Sequence, residues 1–218
     1  MITWEILIAT LCDRAELLGT LLAALLPQVD AAGGAVRVTA YRNQGERPLA
    51  DIRQALVESA DARYVSFIDD DDMVPDDFVS TILPLLDGVD TVGWRMQYYV
   101  DGVPAKPTFH SLRYGGWWED ETGWYRDVSH LNPVRLALAR RCDFRVELPE
   151  DWGWVQQMQK LVKTEHYTGD DKIMYHYRHS TSGGSKWVPG SVSQSPGRYP
   201  PRPPVSSPNL AYHPRSTC

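Results

Sequence analysis

A chain of 218 residues, 43% of them hydrophobic, is long enough for one domain with a sizeable core, and its net charge of −6 argues against a protein that coats nucleic acid. The cysteines Cys12, Cys142 and Cys218 are odd in number and lack CxxC spacing, which points away from a disulfide framework or zinc site and towards a reducing compartment. Glu5 interrupts the first apolar run, no basic n-region precedes it, and no stretch approaches a bilayer span, so the expectation is a soluble, cytoplasmic protein.

Ile2 to Thr10 reads as a first strand. Asp13 followed three residues later by Glu16 has the form of a capping box. Leu17, Leu18, Leu21, Leu22, Leu25 and Leu26 then recur at helical spacing up to Pro27. Gly33-Gly34 makes a turn, Val36 to Ala40 a second strand, and Tyr41 to Arg47 a polar loop. Pro48 is well placed to open a helix running to about Ala60, with Leu49, Ile52 and Leu56 inward and Arg53 off that stripe. Tyr64 to Ile68, apolar and bounded by polar residues, suits a buried strand of a parallel sheet. Strand, helix, strand, helix, strand by this point is the alternation of an α/β fold.

That third strand stops in four carboxylates, Asp69, Asp70, Asp71 and Asp72. Ligands gather outside the carboxyl ends of such strands, and adjacent carboxylates repel one another unless a cation or solvent intervenes. The run therefore reads as a site for a divalent ion and a diphosphate; a solvated turn, with Asp76 and Asp77 near the next helix start, is the plainer alternative.

Pro75 opens a helix ending near Gly88, Thr91 to Val100 is a longer strand, and Asp101-Gly102 is a hairpin turn. Between Phe109 and Tyr125, glycines alternate with Trp117, Trp118 and Trp124 and with acidic residues. Pro133 to Arg141 reads as a short helix, Trp152 to about Lys163 as another, and Lys172 to Tyr177 as a last strand. After Gly183 the chain is rich in Ser, Pro and Gly, with no acidic residue, and a disordered basic tail is expected over residues 186–218.

The order of these pieces resembles the family 2 type of GT-A glycosyltransferase, above all its small phage-encoded members, over residues 1–185. ILIATLCDRAELL is similar to that family's first strand and turn, GERPLADIRQAL to the segment bringing a basic residue towards the diphosphate, and YVSFIDDDDMVPDDF to the strand carrying Asp-x-Asp. HLNPVR, LPEDWGW and YHYRHSTSGG resemble the acceptor-side helix start, the Glu-Asp motif with the base, and the closing strand with a metal-site histidine.

The resemblance implies a single Rossmann-like domain with a mostly parallel sheet flanked by helices, and inverting transfer of a sugar from a nucleotide-diphosphate sugar to a hydroxyl, with Mn2+ or Mg2+. It implies that Asp69 and Asp71 form the metal pair, alternate residues of an extended end pointing the same way, with Asp71 the direct ligand and Asp70 turned elsewhere, towards the ribose of the donor. His179, then His176, would complete the metal site, and Arg53 would neutralise phosphate. Asp151 would be the base, oriented by Glu150 and held as the cap of the following helix. Thr10, Asp13 and Arg14 would contact the nucleoside. Asn43 stands where relatives carry Asp-Asp-Gly-Ser, which opens the identity of the base, a UDP-sugar being favoured. His130, Trp117, Trp118, Trp124, Trp152 and Trp154 would line the acceptor cleft. A polysaccharide, lipid, protein or modified DNA base would each suit it; a virion protein or modified DNA fits the phage-like character and the basic tail.

Two other classes remain open from the sequence. A sugar-1-phosphate nucleotidyltransferase would carry a Gly-rich loop after the first strand, and no glycine precedes Gly19. A non-catalytic glycan or nucleic-acid binding module would use the tryptophans without metal or nucleotide.

Overall fold

A computed structural model describes residues 2–146 and 149–181; the expected basic tail lies outside them. Strand β1 (Trp4–Leu11) is buried along almost its whole length, as a strand covered on both faces must be. It lies parallel to β2 (Val36–Asn43) on one side and to β3 (Tyr64–Phe67) on the other. Helices α1 (Ala15–Ala31) and α2 (Leu49–Ser59) make the two crossovers. Successive β1 side chains enter opposite cores. Ile6 and Ile8 join Leu21 and Leu25 of α1, while Leu7 joins Ile52 and Leu56 of α2.

Helix α3 (Phe78–Ile82) leads to a hairpin of β4 (Thr91–Val100) and β5 (Val103–His110). Asp101 and Gly102 at its tip have φ of 49° and 80°, the left-handed pair that a tight type I′ turn requires. Then follow β6 (Trp118–Glu119), β7 (Trp124–Arg126), β8 (Val134–Arg135), α4 (Leu136–Ala139), α5 (Glu150–Met158), β9 (Glu165–Tyr167) and β10 (Ile173–His179). Among the described residues the strands run β2-β1-β3-β8-β4-β5-β7-β6, with β9 and β10 both parallel to β4. The result is one α/β domain of the GT-A, Rossmann-like kind, parallel in its first half and mixed in its second. No helix among the described residues is long and apolar enough to cross a membrane.

Several boundaries differ from the sequence reading. Helix α1 does not stop at Pro27 but continues to Ala31. Gln28 holds that last turn from outside, donating to Ala24 and Pro75 carbonyls and accepting from the Val79 amide. The Asp13 capping box does not form, because Cys12–Arg14 is already a turn of 3-10 helix and no side chain caps α1. Strand β2 takes in Tyr41 to Asn43, expected as loop, because β1 extends to Leu11 and pairs with it. Val134–Arg135, expected as helix, pairs instead with β3, and α4 starts only at Leu136. Helix α5 starts at Glu150, so Asp151 lies inside its first turn rather than capping it.

Candidate active site

Beyond Phe67 the chain leaves the sheet, and the Asp72 amide closes a turn on the Asp69 carbonyl at 3.1 Å. Strand alternation therefore ends before the carboxylates begin, and the turn sets their directions, with the Asp69 charge still close enough to act on Asp71. Asp69 accepts from Arg53 at 2.8 Å and lies 3.9 Å from the His130 ring. Asp70, almost fully buried, accepts from the Thr10 hydroxyl at 2.6 Å and from Arg14 at 2.8 Å. Asp71 shares that Arg14 guanidinium at 3.2 Å and keeps 26% of its side chain exposed. Asp72 is buried; it accepts from the Tyr175 hydroxyl at 2.8 Å and from the Arg178 amide at 2.7 Å.

Burial alone would lift the carboxyls of Asp69, Asp71 and Asp72, and local partners decide the outcome at each. Burial is outweighed at Asp69 by the Arg53 guanidinium and the His130 ring, which hold its carboxyl well below the usual carboxylate range. Asp71 is raised by burial and by the neighbouring Asp69 charge, with Arg14 opposing. Asp72 is raised furthest, by burial and again by Asp69. Of these three, Asp69 carries the firmest negative charge.

Arg53 was expected on the flank of α2; it is buried there, 6% of its side chain exposed, with its guanidinium 5.7 Å from the centre of the Phe67 ring. It can be buried because both ends of the fork are matched by charge. One nitrogen donates to Asp69 at 2.8 Å and another to Glu150 at 2.9 Å. The aspartate turn and the acidic first turn of α5 are therefore pinned to one cation. Asp151, next to Glu150, accepts from the Trp152 amide at 2.7 Å; it makes no salt bridge among the described residues, although its charge acts on Arg53.

Among the described residues no three His, Cys, Asp or Glu side chains come together as a ready-made metal site. The donors that are present still suit a hard cation held jointly with phosphates, which uses one or two protein carboxylates. Asp71 is partly exposed and only half engaged. His179 is 3% exposed, and neither of its ring nitrogens has a hydrogen-bond partner among the described residues. By strand alternation it shares the face of Tyr175, whose hydroxyl also accepts from the Asp69 amide at 3.1 Å. His176 lies on the opposite face, 3.2 Å from the Tyr99 hydroxyl, and does not join the aspartates.

The other expected contacts separate. Asp13 is exposed, and its charge acts on the adjacent Arg14. Asn43 is buried and its amide is committed to the Arg47 main chain, donating to the carbonyl at 2.9 Å and accepting from the amide at 3.3 Å. It braces the loop ahead of α2 and offers little to a nucleoside. The tryptophans divide three ways. Trp154 is core, stacked on Phe144 at 5.1 Å, because helical rotation turns it to the sheet. It has no surface for an acceptor. Trp118 stacks on Tyr125 at 4.0 Å and Trp124 packs edge-on to Tyr98, both within the β5–β7 lobe. Trp117 and Trp152 meet edge to face at 4.6 Å, beside Asp151. Sequence reasoning passed over Asp72, Tyr175 and Arg178, which lock the turn to β10; the alternating tyrosines of the last strand were the available signal.

No family model and no curated protein sequence matches this chain. Solved structures do match in fold. S. aureus TarS 1-349 aligns with TM-score 0.57 and 12% identity over 81% of this chain, and its complex with UDP-GlcNAc with TM-score 0.58 and 13% identity over 84%. The alignments span 60% of each of those chains and 37% of the longer S. aureus TarS chain, the last with TM-score 0.56 and 15% identity over 81% of this one.

Proposed function

We propose that this chain is a glycosyltransferase moving a sugar from a nucleotide-diphosphate sugar to a hydroxyl acceptor with inversion. The observation that carries the reading is the Arg53 clamp. It ties an aspartate turn, at the carboxyl end of a parallel strand, to the helix start where Asp151 keeps a carboxylate that makes no salt bridge among the described residues. The fold likeness to a chain crystallised with UDP-GlcNAc supports the same reading and makes UDP-GlcNAc the first donor to test.

In this mechanism the Asp151 carboxylate takes the proton of the acceptor hydroxyl. The hydroxyl oxygen bonds to the anomeric carbon from the face opposite the diphosphate, and the bond from that carbon to the β-phosphate oxygen breaks. Glu150 and Arg53 fix the direction of the base rather than touch the sugar. Asp71, with His179, would hold Mn2+ or Mg2+, which when bound offsets charge on the departing diphosphate. Asp70 is held by Thr10 and Arg14 at the end of β1, where the nucleoside would lie.

A thermal-shift screen of nucleotide sugars with and without Mn2+ tests donor and metal together, since a ligand that binds only the folded state raises the melting temperature. Stabilisation by UDP-GlcNAc or a related nucleotide only when Mn2+ is present is the expected result. With the donor in hand, Asp151→Asn should lower turnover by about a hundred- to ten-thousand-fold. Full activity in both Asp71→Ala and Asp151→Ala would overturn the site.

A further inference from the structure

Helix α5 carries more than the base. Trp152 and Gln156 lie one turn apart on α5, and Gln159 and Lys160 follow in the turn just past its last residue, Met158. Gln156, Gln159 and Lys160, with Lys163 after them, line a cleft of about 450 Å³, within the size range of small-ligand sites, together with Leu112 and Asp127. The lining is built for hydroxyls and negative charge. Gln159 is oriented by donating to Asp127 at 2.7 Å, and neither lysine ammonium has a carboxylate partner among the described residues. Two cations facing one carboxylate, on a chain of net charge −6, is a local reversal of sign. Trp117, which meets Trp152 edge to face, also reaches the Asp127 carboxylate of the cleft lining and is backed by the Arg126 guanidinium at 4.2 Å.

We propose that this cleft is an acceptor subsite, holding the unit next to the reacting one in an acidic glycan. The inference rests on the glycosyltransferase reading and adds the substrate class to it. The reacting unit lies over Trp152 with its hydroxyl at Asp151. The following unit enters the cleft, where Gln156 and Gln159 pair with its hydroxyls and Lys160 and Lys163 with its carboxylate or other anionic group. A neutral glycan fills the same path without using the lysines.

Calorimetric titration with two defined probes, tetragalacturonate and maltotetraose, tests the assignment at low and moderate salt. Tetragalacturonate should bind the wild-type chain more tightly than maltotetraose, and less tightly as salt is raised. The double variant Lys160→Ala/Lys163→Ala should weaken tetragalacturonate about five- to tenfold, as expected for two solvent-facing ion pairs, and leave maltotetraose unchanged. Gln156→Ala/Gln159→Ala should weaken both probes. Equal affinity for the two probes, no binding of tetragalacturonate, or binding that the lysine variant does not alter would each overturn the subsite. UDP with Mn2+ is titrated into the same wild-type preparation. A chain that binds UDP but not tetragalacturonate loses only the subsite; a chain that does not bind UDP loses the transferase reading itself.

Discussion

The aspartate turn after β3 and the first turns of α5 face each other across Arg53, and they treat charge in opposite ways. In the turn, every carboxylate has a protein partner: Arg53 for Asp69, Arg14 and Thr10 for Asp70, Arg14 for Asp71, Tyr175 and the Arg178 amide for Asp72. On α5, Glu150 is paired, while Asp151 is half-buried with no salt bridge among the described residues, and Lys160, just past the end of the helix, is exposed. One region is organised before any ligand arrives, while the other keeps its charges available. Such a division suits a site that must grip a fixed donor group and still admit a hydroxyl to be deprotonated.

The contrast is sharpest within α5, where two tryptophans two residues apart face different media. Trp154→Ala removes a fully buried ring stacked on Phe144 and should cost about 4 kcal/mol, read as a lowered urea midpoint. A change under about 1 kcal/mol would mean that α5 is not anchored by its inner face. Next in size is the link between the regions. Arg53→Ala leaves Asp69 and Glu150 facing each other without their cation and should cost about 3 kcal/mol. That is the lower end for a buried pair, because both carboxylates keep over a quarter of their surface. Arg53→Lys should recover stability only in part, since a single ammonium cannot span both partners as the fork does.

Those two substitutions mark how far the sequence could be read. The alternation of β1, α1, β2, α2 and β3 was legible because each element has its own period and the strands are buried on both faces. The end of β3 was legible for the same reason, and with it the place of the carboxylates. Their directions were not, because a closing turn obeys hydrogen bonds to Arg14, Arg53 and Tyr175, whose partners lie tens of residues away in sequence. Arg53 read as a residue off the apolar stripe, free to meet phosphate or solvent, since charge on a helix next to such a stripe is normally solvated. Only a carboxylate from residue 69 and another from residue 150 make its burial favourable. Trp154 and Trp152 could not be told apart without knowing where α5 begins.

A buried group with no charged partner should behave unlike either region, and His110 supplies that case. It is fully buried at the end of β5, with its ring 2.8 Å from the Asn132 amide oxygen and its other nitrogen unpartnered. Burial pushes the imidazole down to about 3, helped by the nearby Arg126 and His130 charges and opposed by the Asn132 contact. The folded chain therefore holds fewer protons than the unfolded one between pH about 3 and 6.5. The stability this gives is complete above pH 6.5 and is lost as pH falls. Asp71 and Asp72, both raised, act with the opposite sign over part of that range, so the difference between wild type and His110→Asn is the quantity to measure. From pH 6.5 to 4.5 the wild type should lose about 2–3 kcal/mol more than the variant. Parallel curves would show that His110 is protonated in the folded chain.

The smallest effect on folding should be the most telling for the outer face of α5. Trp152 is half-buried and touches Trp117 edge to face, so Trp152→Ala should cost only about 1 kcal/mol of stability. If that face serves the acceptor, the same variant should keep its affinity for UDP and raise the acceptor KM about three- to tenfold, the loss of one aromatic platform. The pairing of outcomes is what matters. Loss of stability as large as at Trp154 would make the Trp117–Trp152 contact a piece of core. An unchanged acceptor KM would leave Asp151 without a neighbouring surface for the sugar it is to deprotonate, and the path from the base into the Gln156–Lys163 cleft would have no first step.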